Sequence, residues 1–222
     1  PCFLVGYSHA KMLSDVLKVP LFSFSHQQGH VAASLWSADR MDLMDTPHLA
    51  WHLSGGTTEL LLVEPEGKSV RCQKIGGTTD ISAGQLIDRT GQLLGLPFPA
   101  GKHLDALSQG ESTPDFFRVK CPELQFSLSG VQNQVETYYE RTGNREKTAA
   151  FALASVVWAV EKATKNAMKA YPGLSVVFSG GVASNAMLRK KLAYLQPVFA
   201  QPQYSTDNAM GIAILTHRAM EG

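Results

Sequence analysis

The sequence predicts an α/β fold, and three observations carry that expectation. Apolar runs and a β-rich segment alternate with tight glycine turns over residues 49–77, and a long alanine-rich helix pattern fills the middle of the chain. The last third alternates strand, glycine turn, helix, strand and helix, and an apolar strand followed by Ser-Gly-Gly occurs twice, at Ser54 and at Ser179. Two such turns are available to face one ligand.

In chain order, Met12, Leu13, Val16 and Leu17 recur at helical spacing over residues 8–17, and residues 19–24 read as a short strand entered through Pro20. Ser25 is placed to cap a helix that holds His26 and His30 in its first turns. Residues 49–64 and 70–75 read as an antiparallel meander around Ser54-Gly55-Gly56, ending at Gly76-Gly77. Residues 82–94 form a helix pattern, 97–101 a tight loop, 131–139 a helix, and 147–171 a long amphipathic helix. The ending reads as a strand over 174–178, a helix over 184–195, a short strand over 198–200 and a closing helix from about 206 to 220.

With 222 residues, 44% of them hydrophobic, the chain can bury a substantial core. Twenty basic residues against nineteen acidic ones give a net charge of +1, which excludes a globally basic nucleic-acid or membrane binder and leaves any RNA contact to a local patch. Cys2, Cys72 and Cys121 lie far apart and form no C-x-x-C pair, so the sequence argues against a disulfide framework and a thiolate zinc site and fits a reducing, cytoplasmic compartment. No apolar run approaches the roughly 20 residues needed to span a bilayer, and no signal-peptide layout opens the chain, so no membrane partner is expected. The start on Phe3-Leu4-Val5 without a methionine leads to the expectation that the chain begins inside a domain.

His26 and His30 are four residues apart on one helix face, with Cβ atoms about 5–6 Å apart, a spacing that lets two imidazoles bind one metal with a third ligand from elsewhere. Packing or capping is the ordinary alternative. The zincin motif would put a glutamate after the first histidine as general base; Gln27 stands there and cannot take a proton. Gly180-Gly181 ahead of a helix lets backbone N–H groups approach a phosphate, whereas Ser54-Gly55-Gly56 competes with a plain hairpin turn. Asp80, Asp88, Asp105 and Asp207 are candidate polar contacts, Asp207 also being placed as an N-cap. Lys162, Lys165, Lys169, Arg189, Lys190 and Lys191 form basic runs that read mainly as solvated faces, with RNA contact the alternative.

Taken in order, His26-x-x-Gly29-His30, Ser54-Gly55-Gly56-x-Thr58, Gly77-x-Thr79-x-x-x-Ala83-Gly84-x-x-x-Asp88, Leu94-Gly95-Leu96-x-x-Pro99-x-Gly101, Phe126-Ser127-x-Ser129-Gly130, Gly180-Gly181-Val182-Ala183-x-Asn185 and Thr206-Asp207-Asn208 are distinctive as a set. With these motifs the chain resembles the tRNA threonylcarbamoyladenosine synthase family, formerly called O-sialoglycoprotein endopeptidase. The resemblance covers nearly the whole chain.

It implies a two-lobed sugar kinase/Hsp70/actin-like (ASKHA, ribonuclease H-like) fold, mostly the second lobe with part of the first. Residues 1–45 would belong to the first lobe with its metal-binding helix, 46–205 to the second lobe, and 206–222 to a C-terminal helix packing back on the first. It implies one iron or zinc ion held by His26, His30 and Asp207 beside an ATP- or AMP-like adenylate. His52, Leu53, Ser54, Gly55 and Gly56 would line its phosphate and acyl group, Asp88 and Gly101 its ribose and adenine side, and Gly180, Gly181 and Asn185 the nucleotide from the second turn. The implied reaction transfers a threonylcarbamoyl group from threonylcarbamoyl-AMP to the adenosine beside the anticodon of tRNA, with other proteins of the same pathway as partners and no catalytic side chain assigned. Gln28, Ile81, Gln85 and Ala100 depart from the family pattern, which has Glu, Asp, Glu and Gly there. A non-catalytic nucleotide-binding or assembly paralogue is therefore the alternative, with a metal-dependent endopeptidase third.

Overall fold

Side-chain alternation along β1 (His48–Leu53) decides the architecture. Leu49, Trp51 and Leu53 enter one apolar core and Ala50 enters another on the opposite face. The structure, a computed structural model, describes residues 2–205 and 209–221. β1 pairs antiparallel with β2 (Thr58–Glu66), and β2 with β3 (Ser69–Thr78), which is the expected meander. On its other side β1 pairs in parallel with β5 (Ser175–Ser179), which pairs with β6 (Val198–Phe199). A short β4 (Gln125–Phe126) joins the end of β3, giving the order β4-β3-β2-β1-β5-β6.

Both faces are covered. α3 (Ala83–Leu93), α5 (Ser129–Thr142), α6 (Arg145–Ala170) and α7 (Ala186–Leu192) close over the Trp51 face, with α4 (Gly101–Ser108) packed behind them through Leu104. Trp51 is fully buried there, and its indole N–H donates to Thr164 Oγ1 on α6 at 2.9 Å, so the largest core side chain leaves no donor unsatisfied. On the other face α2 (His26–Ser37) and α8 (Met210–Met220) cover Ala50, Leu61, Val63 and Val177 with Val31, Leu35 and Leu215. Gly211 of α8 sits directly on the Gly29 carbonyl of α2.

Three expectations need correction. The helix read over 8–17 is α1 (Cys2–Leu17), six residues longer at its start. The strand expected over 19–24 does not form: Val19 N–H donates to the Ser14 carbonyl and its own carbonyl accepts from Ser14 Oγ, so its polar groups close off α1, and Pro20 has no N–H to offer a ladder. The helix expected over 184–195 is broken into a 3₁₀ turn (Gly181–Ser184), α7 and a second 3₁₀ turn (Ala193–Leu195), because Asn185 leaves helical geometry at ψ 130° to cap α7. The start of the closing helix expected near residue 206 lies outside the described residues.

Asp80 ties the end of the meander to the start of α5. Its carboxylate accepts from Ser127 Oγ at 2.5 Å, Ser129 Oγ at 2.6 Å and Leu128 N at 2.8 Å. Burial opposes its charge, but these hydroxyls and amides outweigh that and hold the carboxyl well below the usual carboxylate range. Because the folded-state value is depressed, the stabilisation is present above the unfolded value of about 4 and is lost as pH falls below it. Asp80→Asn is expected to lower stability by about 1 kcal/mol at neutral pH, the usual size of a lost helix-start carboxylate. Urea midpoints should show that gap closing as pH drops below about 4.

Candidate active site

The parallel pairing of β1 and β5 places His52 beside Ser179 and brings the two Ser-Gly-Gly turns together at the carboxyl ends of both strands. That edge, where α/β sheets gather ligands, is thus lined by backbone. Gly180 holds φ +90°, and a Cβ there would strike the carbonyl of Leu53. Only glycine lets the β5 turn lie this close to β1.

The first turn is a hairpin. Ser54 N–H donates to the Thr57 carbonyl at 2.8 Å, and Ser54 Oγ accepts from Thr57 N at 3.0 Å, so the Ser54 hydroxyl is committed to shaping the turn. Its exposed Gly55-Gly56 tip docks on the start of α3, where Gly84 has no Cβ to collide with Gly55. Ser82 Oγ donates to the Gly55 carbonyl at 2.5 Å, and Ala83 N–H to the buried Thr58 Oγ1 at 2.8 Å.

α2 brings its histidines over this edge. Ser25 caps it through a capping box in which its Oγ accepts from Gln28 N and its own N–H donates to Gln28 Oε1 at 2.6 Å. The Nε2 atoms of His26 and His30 face one another at 3.1 Å, and the His52 ring lies 4.2 Å from that of His30 and 6.5 Å from that of His26. With His52, Glu59 and Ser179 they line a cavity of about 120 Å³. Ser179 Oγ donates its one proton to the Trp51 carbonyl at 2.9 Å, so it accepts from His52 Nδ1 at 3.2 Å and leaves Nε2 as the basic nitrogen of the neutral ring.

Metal–nitrogen bonds of roughly 2.0–2.1 Å put neighbouring ligands roughly 2.9–3.4 Å apart, so the His26–His30 separation fits two imidazoles on one ion. Among the described residues no three His, Cys, Asp or Glu side chains form a metal-holding group, and Asp207, the third ligand implied by the resemblance, lies outside the described residues.

The other expected residues take structural partners. Leu53 points into the core, leaving only its backbone to the site. Asp88 accepts from Ala100 N at 2.8 Å and so anchors the loop that delivers Gly101 at the start of α4. Asn185 caps α7 by accepting from Leu188 N at 2.9 Å, and its amide donates to Asp105 of α4 at 2.8 Å. Gly181 opens the 3₁₀ turn that precedes α7, so the glycines do not lead straight into an α-helix as expected.

Sequence reading missed Glu59 and the facing of His52 toward the histidine pair. Glu59 receives Gln27 Nε2 at 3.1 Å and Lys74 Nζ at 3.0 Å. Both depend on strand register, which local sequence does not carry.

The family model for TsaD, described as tRNA N6-adenosine threonylcarbamoyltransferase, matches residues 1–214. The chain belongs to this family. A tRNA N6-adenosine threonylcarbamoyltransferase of Carboxydothermus hydrogenoformans is 34% identical over 231 residues, covering 99% of this chain and 68% of the relative. One from Lactococcus lactis subsp. cremoris is 34% identical over 86% of this chain and 57% of its own length. The chain thus spans between about half and two thirds of such relatives. Among solved structures, HypF of T. kodakarensis superposes with a TM-score of 0.72 at 13% identity, over 97% of this chain and 39% of that one. The activator of the 2-hydroxyisocaproyl-CoA dehydratase from Clostridium difficile, solved with ADPNP, gives 0.56 at 13% identity over 89% and 68%. These likenesses place the fold in the expected sugar kinase/Hsp70/actin-like class.

Two departures from the family pattern acquire a structural reason. Gln28 and Gln85 both occupy the third position of a capping box, Gln85 Oε1 accepting from Ser82 N at 3.0 Å. Glutamine and glutamate serve that position alike. Of the other two, Ile81 packs on the core and Ala100 is buried against Gly91.

Gly180→Ala is expected to cost about 2 kcal/mol or more from backbone strain alone, read as a fall in the thermal midpoint. A midpoint equal to wild type would show that the two turns are not held against each other.

Proposed function

We propose that this chain carries the acyl-transfer site of a tRNA-modifying enzyme. In this reading, the N6 amine of the adenosine beside the anticodon attacks the carbamoyl carbon of threonylcarbamoyl-AMP. The carbon–oxygen bond to the phosphate breaks, AMP leaves with the bonding pair, and the amine loses a proton. The observation that carries the proposal is the meeting of a histidine pair with two Ser-Gly-Gly turns at the ends of β1 and β5, in a chain of this family.

His26, His30 and Asp207 would hold one iron or zinc ion, whose chemistry when bound is to polarise the acyl-phosphate. Backbone N–H groups of Gly55, Gly56, Gly180 and Gly181 would meet the phosphate and its developing charge, with His52, Leu53 and Ser54 along the acyl side. Asp88, Gly101 and Asn185 would shape the ribose and adenine side, two of them through the helix anchors described above. Residues 1–45 and 206–222 would group with a first lobe and 46–205 form the second; α8 packs on α2, and both also cover one face of the sheet of residues 46–205. Other proteins of the pathway would complete the assembly. The peptidase alternative lacks the glutamate that its motif puts directly after the first histidine: Gln27 stands there, an amide that donates to Glu59 and cannot take a proton.

Elemental analysis should find close to one iron or zinc per chain, lost in His26→Ala and His30→Ala. Nucleoside analysis of tRNA incubated with threonylcarbamoyl-AMP, the chain and its pathway partners should show threonylcarbamoyladenosine, reduced at least about tenfold in either variant, a loss of about 1.4 kcal/mol in transition-state binding. Adenylate binding without transfer would replace this reading with the non-catalytic one.

A further inference from the structure

We propose that the groove between the 114–118 loop and α5 is an RNA-docking surface that stacks an unpaired base and holds its phosphates. The groove has a volume of about 560 Å³ and is lined by Asp115, Phe116, Phe117, Arg118, Tyr138 and Arg141 among others. On one wall Phe116 packs against Trp158 with ring centroids 5.1 Å apart, and the Arg118 guanidinium lies 6.0 and 5.9 Å from the two rings. On the other, Tyr138 stacks on Phe151 at 4.5 Å and Arg141 lies 5.2 Å over Tyr138. The Phe116 wall is therefore a reachable aromatic face topped by a guanidinium, the pairing that holds single-stranded nucleotides, whereas Tyr138 and Phe151 are buried and the second wall presents the Arg141 guanidinium.

Three features favour RNA. Phe116 and Phe117 are 38% and 36% exposed, so their faces are reachable. The loop is pre-set, because Phe117 N–H donates to Ser155 Oγ of α6 at 2.8 Å. Neither Arg118 nor Arg141 has an ion-pair partner among the described residues. Asp115, which accepts from Tyr138 OH at 3.4 Å, can also accept from the exocyclic amine of a base.

Three residues of the basic runs legible in the sequence serve other ends. Lys165 and Lys191 flank Glu161 at 2.9 and 3.8 Å, and Arg189 donates to the carbonyls of Ala183 and Ala200 while stacking on Phe199. The docking surface shares with the proposed function only the premise that RNA is a partner of this chain.

The test is binding of a labelled tRNA transcript and of a short unstructured RNA at several salt concentrations. Wild type is compared with Arg118→Ala, Arg141→Ala and Arg118→Lys, with Lys190→Ala as control and thermal melts to confirm folding. Each alanine variant should weaken binding at least about fivefold, as expected for a lost guanidinium that contacts both base and phosphate, and lower the salt slope by about one. Arg118→Lys should restore the slope, and Lys190→Ala should match wild type. Equal binding by all variants would overturn the groove while leaving tRNA as a substrate. No RNA binding by wild type would overturn the groove and count separately against the tRNA reading. Displacement of RNA from the wild-type groove by polyglutamate, with no such effect in the arginine variants, would overturn RNA as the occupant.

Discussion

The site depends on the hydrogen-bonded parallel pairing of β1 with β5. Side chains alternate along a strand with period two, so a slip of one residue between these strands would turn His52 or Ser179 to the opposite face. The observed register keeps both on the α2 side, where Ser179 fixes the His52 ring and the ring faces the His26–His30 pair. The same pairing puts both Ser-Gly-Gly turns at one edge, with Gly180 as the residue that allows the contact.

What holds that register is the burial on either face. Trp51 and Phe178, neighbours across the β1–β5 ladder, are both fully buried, and the hydrogen bond from Trp51 to Thr164 links the sheet to the middle of α6. Truncating a side chain of this size in a core costs about 3–5 kcal/mol, a large share of the stability of an ordinary domain. On the opposite face α2 is held between the sheet and α8, so the helix that carries the histidines is positioned by packing from two sides.

Much of this was legible in the sequence for local reasons. Ser25 is legible as the cap of the histidine helix and residues 82–94 as a helix, residues 49–77 read as a meander around short glycine turns, and the repeated Ser-Gly-Gly points to two turns facing one ligand. The misses are non-local. Residues 19–24 have strand-like composition but no partner strand, Asn185 exchanges helix geometry for a cap and a bond to Asp105, and Glu59 joins the cavity lined by the histidines only through register. Arg118 and Arg141 carried no sequence signal, because an aromatic groove assembled from a loop and two helices has no fixed spacing along the chain.

If the proposed function holds, the histidine pair and the two glycine turns act as one ligand site. Amide-resolved NMR during titration with AMP, with and without zinc, tests it most directly. The amides of Gly55, Gly56, Gly180 and Gly181 should shift together on adding AMP, and zinc should move the imidazole signals of His26 and His30 and tighten AMP binding. Shifts confined to one turn, or zinc and AMP perturbing separate regions without coupling, would contradict it.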